Sequence, residues 1–192
     1  MLLALTALSA AAAGLATSWQ GTQWGESNRA LLAQFGSSVT VLPRPLDFGD
    51  SYTQIVRRDI VVGGWKLIAF YQMDKQTGGL KRIQLERQRH GVNLAAFRGV
   101  LGGLEAAYGR PDLTCQIPLG PRSGYQRGAE RIWRRDDIVI RAIFRDTTVE
   151  AYEGCPFTDI TMGPCGLTGQ LLVRISPPAA DPGGCPAGAI SG

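Results

Sequence analysis

Histidine and lysine are scarce in this 192-residue chain, which has one His, three Lys and 17 Arg. Four cysteines are present and none forms a C-x-x-C pair. With a single His, that excludes the usual zinc arrangements. No G-x-S-x-G elbow occurs, so a hydrolase of that design lacks its nucleophile. No apolar run reaches the roughly 20 residues that a membrane-crossing helix requires. Glycine (25) and proline (11) make the chain rich in turns without making it low-complexity. What is present, 44% hydrophobic and 19% charged residues, fits a folded globular body and not a disordered one.

Residues 1–16 carry no charge, and the first charged side chain is Glu26. A short Leu/Ala core followed by small residues (Ala11-Ala12-Ala13, Gly14-Leu15-Ala16) predicts a signal peptide over 1–16. The expected location is periplasmic or secreted, with no stable membrane insertion of the mature chain. An even number of cysteines behind a leader reads as two disulfides among Cys115, Cys155, Cys165 and Cys185. Three pairings exist and spacing does not choose among them. The preferred one, Cys115–Cys155 with Cys165–Cys185, would tie the second half of the core and pin the tail. No cysteine follows the leader closely, so the lipid-modified cysteine of a lipoprotein is absent.

Ser27 is placed to N-cap a helix over 28–35, and Gly36 to stop it. A β-branched run at 39–42 ends at Pro43 and Pro45. Residues 52–62 and 65–71 read as strands, the second apolar on both faces as a central strand would be. A turn at 74–79 leads to an alternating strand, 80–87. Asn93 caps a second helix reaching Tyr108, with Phe97, Leu101, Leu104 and Tyr108 on one stripe. Gly99, Gly102 and Gly103 weaken that helix unless they admit a close neighbour. Then come strands at 113–117, 129–135, 138–144 and 149–152, and a strand-like run at 170–175 before a mobile tail.

The order of elements repeats. Helix ends match at 32–36 and 105–109, and residues 55–62 parallel residues 132–140. The expected fold class is α+β: two helix-then-antiparallel-sheet units with the helices packed on one sheet face. The expected domains are the leader (1–16), a duplicated α+β body (17–152) and a Cys/Gly/Pro-rich C-terminal segment (153–192).

The helix ends Phe35-Gly36 and Tyr108-Gly109-Arg110-Pro111, with the hairpin between Trp65 and Leu85, carry a resemblance. Across 24–152 the layout resembles the duplicated helix-plus-sheet fold of the β-lactamase-inhibitor-protein type, seen also in uncharacterised secreted or periplasmic bacterial proteins. The resemblance implies a fold and brings no functional residue with it.

Charge is divided along the chain. Residues 26–145 hold 19 cations and 11 acids, net +8, whereas 146–192 are net −4. Arg131, Arg134, Arg135 and Arg141 cluster around one hairpin with Trp133, after Arg122 and Arg127 in the preceding loop. Arginine forks bind carboxylates and phosphates in two-point fashion, which makes these five residues the candidate binding site. The bland reading is a solvated charged face. His90 is the only side chain that titrates near neutrality without help, and the bland reading there is a turn histidine. Asp136-Asp137 suits a hairpin turn better than acid–base chemistry.

The residues therefore favour a non-catalytic secreted or periplasmic binding or interaction module for an anionic ligand or an acidic protein partner. Two alternatives stand beside it: a small envelope hydrolase-like enzyme using His90, and a structural envelope protein. No cofactor, metal or nucleic acid is expected.

Overall fold

Strand-like alternation dominates the molecule. In the computed structural model, which describes residues 19–88, 93–117, 127–146 and 170–191, nine strands form one antiparallel sheet. They are β1 (Thr40–Asp47), β2 (Ser51–Val62), β3 (Trp65–Asp74), β4 (Leu80–Arg87), β5 (Leu113–Ile117), β6 (Arg127–Arg134), β7 (Val139–Asp146), β8 (Gln170–Ser176) and β9 (Ile190–Ser191). Their order across the sheet is β1-β2-β3-β4-β8-β7-β6-β5-β9. Two α-helices accompany them, α1 (Asn28–Phe35) and α2 (Leu94–Tyr108). The caps foreseen from the sequence form: Ser27 Oγ accepts from the Ala30 N–H at 3.3 Å, and Asn93 Oδ1 from the Ala96 N–H at 2.8 Å.

Register partners on neighbouring antiparallel strands share a face, so side chains line up in rows across the sheet. One row runs Ile55, Tyr71, Ile83, Ile175, Ile140, Trp133, one residue from each of six consecutive strands. All six are buried in the main core with Leu31, Phe97, Val100 and Leu104 from the helices. At about 25 cal/mol per Å² of apolar surface removed from water, this face is the main source of stability. Helix α2 seats against the β2–β3 turn because glycine meets glycine there. A Cβ on Gly63 would lie 1.7 Å from the Gly99 carbonyl oxygen, and one on Gly103 would lie 2.3 Å from the Gly63 nitrogen.

The expected fold class is overturned. Two helix-then-sheet units with helices packed on one sheet face would give two separable halves. Instead one large antiparallel sheet makes up most of the structure, with only two short helices. The strand that joins its halves is β8, inserted between β4 and β7. The matched stretches are also not equivalent. Residues 55–62 lie within the single strand β2, where Asp59 (φ 58°) absorbs a register shift between Arg57 and Ile60. Residues 132–140 span the β6–β7 turn, where the Arg135 and Ile138 backbones bond each other across Asp136-Asp137. One aspartate makes a bulge and two make a turn, so similar letters fold differently.

Two smaller expectations are also corrected. The run expected to end at Pro43 continues to Asp47, because β1 is an edge strand and a missing N–H is tolerated there. The tail expected to be mobile is fastened: residues 177–191 form a strap with a turn at Pro178–Ala180, strand β9 on β5, and a disulfide. The predicted leader and the predicted strand at 149–152 lie outside the described residues.

Candidate functional site

The five residues expected to form a binding site do not share one surface. Adjacent strand residues point to opposite faces, which sends Arg131 and Trp133 one way and Arg134 and Arg141 the other. Trp133 is fully buried and its Nε1–H donates to the Gly109 carbonyl at 2.8 Å. Arg131 donates to the Glu130 carbonyl at 3.2 Å. Arg135 sits at the turn, donating to Asp112 Oδ2 at 3.1 Å and to the Tyr108 carbonyl.

Arg134 and Arg141 come together beneath the strap. Arg134 Nε donates to Asp181 Oδ2 at 3.0 Å, and Arg141 Nε donates to Asp181 Oδ1 at 3.0 Å. Arg141 Nη1 also donates to Glu130 Oε1 at 2.7 Å, and both of its Nη atoms reach the Gly184 carbonyl at 3.1 Å. The side chains of Arg141, Glu130 and Asp181 are 9%, 2% and 6% exposed. Burial acts against the Arg141 charge, but the bonds to Asp181 and Glu130 outweigh it and hold its pKa above the usual arginine value. The same contacts hold the Asp181 carboxyl below its ordinary value against the opposing effect of burial.

The strap is tied by Cys115–Cys185, with a Cα separation of 5.6 Å. The preferred pairing, Cys115–Cys155 with Cys165–Cys185, is thereby corrected. β5 lies beside the strap at the far edge of the sheet, so Cys115 meets the cysteine most distant from it in sequence. Cys155 and Cys165 lie outside the described residues.

The face that carries Arg141 holds polar residues in two register rows that also include apolar ones: Thr53, Gln72 and Arg82 on β2, β3 and β4, and Gln84, Arg174 and Arg141 on β4, β8 and β7 between Phe70 and Ile132. Thr53, Gln72, Gln84, Arg141 and, on β6, Glu130 are buried, and Arg174 is half-buried. Arg82 donates to Gln72 Oε1, to Ser51 Oγ at 2.8 Å, and to Asp50. The pull of Arg82 holds the Asp50 carboxyl down at about 2.

Arg174 differs from its neighbours. Its Nη2 donates to Gln84 Oε1 at 3.2 Å, and Gln84 in turn donates to Glu86. Among the described residues its buried Nε has no acceptor and no carboxylate pairs with it. Burial pushes its pKa below the usual arginine value, the nearby charges of Arg82 and Arg145 push the same way, and those of Glu130 and Asp50 oppose them. Two more buried polar atoms on this face lack partners, Gln72 Nε2 and Thr53 Oγ1. Such groups cost about 1–3 kcal/mol each when left unsatisfied.

No protein-family model, no curated protein and no solved structure matches the chain. Among the described residues, no helix is long and apolar enough to cross a membrane. His90, Arg122 and the Arg127 side chain lie outside the described residues. Sequence reading missed Arg174, Gln84, Gln72 and Thr53. Their signal was there to find: a lone charge in Leu171-Leu172-Val173-Arg174-Ile175, and a Gln in each of two otherwise well-buried strands.

Proposed function

We propose that this chain is a non-catalytic secreted or periplasmic binding module for an anionic ligand or an acidic protein partner. The observation that carries the reading is the set of buried polar side chains on the sheet face opposite the helices, where they are interspersed with apolar ones such as Phe70, Ile132 and Val139. A sheet face built only for stability buries apolar side chains, as the other face does. Here each of six consecutive strands contributes a polar or charged residue. The carboxylates Asp50, Glu130 and Asp181 are each engaged by arginines, while no carboxylate among the described residues pairs with Arg174. Arg134, Arg135 and Arg141 serve internal contacts, so the contact surface lies at the centre of the sheet and not at the β6–β7 hairpin. Export is supported by the uncharged first 16 residues and by the disulfide.

Titration calorimetry of the full chain with a glutamate-rich peptide tests the reading. Saturable binding that weakens as salt rises from low to physiological strength is expected. Flat titrations with both that peptide and small carboxylates would overturn it. Fractionation tests the compartment: a cytosolic protein with reduced thiols would sink the export half.

A further inference from the structure

We infer that residues 182–191 form a redox-operated cover, which the Cys115–Cys185 disulfide holds shut over β5 and which reduction releases while the rest of the sheet stays folded. The compartment in which it closes rests on the export reading above; the cover itself does not. The two halves of the strap are held by different chemistry. Asp181 lies close in sequence to Ser176, the end of β8, so a short tether delivers it to Arg134 and Arg141, and its ion pairs need no cross-link. Beyond Asp181 the chain has little to hold it. Among the described residues, 182–191 reach the sheet through the Gly184 carbonyl on Arg141 and through two register pairs of β9 with β5. Cys185 and Ala189 add their packing against Cys115, Ile132 and Val139. Against these stand ten residues to be ordered, three of them glycines (Gly183, Gly184 and Gly188), the residue type that loses most conformational freedom. Pro182, Gly183, Ala187 and Gly188 are exposed and gain nothing from burial. A few bonds and two small side chains do not offset that ordering, so the cross-link is what keeps the segment in place.

Cys115 is fully buried and Cys185 only half-buried, so a reductant comes at Cys185. A thiolate of an external dithiol attacks Cys185 Sγ, the S–S bond breaks, and its electron pair leaves on Cys115 Sγ, which takes a proton. The second thiol of the dithiol then displaces Cys185 Sγ, so the dithiol ends as a disulfide and the protein holds two thiols. What the cover guards is an edge. At the opposite side of the sheet, β1 carries Pro43 and Pro45, which blunt strand addition. β5 has no proline, and among the described residues only β9 pairs with its outer side. Release of 182–191 opens that edge and Cys115 to water, with Ile132 and Val139 beside it. The cover is open in a reducing compartment and shut in an oxidising one, so export is the step that seals the edge.

The test uses the full chain with Cys155→Ala and Cys165→Ala, which leaves dithiothreitol one disulfide to open. On reduction, amide order parameters across 183–191 should fall from about 0.85 to below about 0.6, and those of β6 and β7 should stay in the rigid range. Iodoacetamide should then alkylate Cys115 at a rate within about tenfold of the rate in urea, because a released cover no longer shields it. Asp181→Asn with the disulfide intact should leave 185–191 rigid.

A segment that stays rigid after reduction, or a Cys115 that stays unreactive, overturns the inference. Loss of order that spreads through β6 and β7 overturns it as well, since the disulfide then holds the sheet and not a cover. If the first variant fails to fold, Cys115→Ala/Cys185→Ala decides in its place: it should show the same mobile 183–191 with no reductant, and a rigid segment there overturns the inference. The export reading falls separately, by fractionation, and leaves the cover standing.

Discussion

Arg141 and Arg174 face each other on neighbouring strands, yet their surroundings are opposite. Arg141 lies under the strap, held by Glu130, Asp181 and the Gly184 carbonyl. Arg174, one strand away, has the Gln84 amide oxygen and, among the described residues, no carboxylate. The first is an arginine whose charge two acids and a carbonyl complete; the second meets a neutral partner there. Position on a sheet therefore does not decide whether an arginine is paired inside the fold. Over Arg141 the chain returns: the strap 177–191 places Asp181 on Arg134 of β6 and Arg141 of β7 and the Gly184 carbonyl on Arg141.

The comparison can be broken hardest on the Arg141 side. Arg141→Met strands the nearly buried Glu130 and leaves Asp181 with Arg134 alone, and should cost about 3–5 kcal/mol in urea denaturation. A loss under about 1 kcal/mol would mean that the strap's ion pairs are ornamental. Replacing both Cys115 and Cys185 by Ala opens a long loop (sequence separation 70) and should cost about 2–4 kcal/mol in the same denaturation experiment. Acid sharpens the contrast further. Asp181 and Asp50 both have folded pKa values below their ordinary ones, Asp50 at about 2. Their contribution is complete above the unfolded carboxylate range and is lost as pH falls from about 4 toward 2. Asp181→Asn should flatten that part of the pH–stability curve. The share of Asp50 should stay below about 1 kcal/mol because water screens it. The smallest effect belongs to Arg174: Arg174→Gln without ligand should stay within about 0.5 kcal/mol of wild type or exceed it.

Local structure was legible in the sequence wherever a single mechanism decides it. The Ser27 and Asn93 caps, the glycine stops and the apolar alternation of β3 and β4 follow from nearest neighbours along the chain. The sheet order was not legible, because nothing local distinguishes residues 170–176 as a central strand from a peripheral one. The repeat misled for a related reason: one aspartate or two inside an Ile/Val run decides between bulge and hairpin, and apolar matching is blind to that. For the site, an arginine cluster in sequence measured how many arginines were present and not how many were already answered. Asp181 answers two of them from 40 and 47 residues away.

The central place of β8 has a consequence in time. β4 bonds β3 on one side and β8 on the other, and β7 bonds β6 and β8. Until residue 170 leaves the ribosome, β1–β4 and β5–β7 are two ribbons, each ending in a long unpaired edge. Such edges recruit strands from other chains. The last strand of the core to be synthesised is thus the one that makes the others safe, so a nascent chain of this protein needs rapid closure or a chaperone's cover before its sheet exists as one.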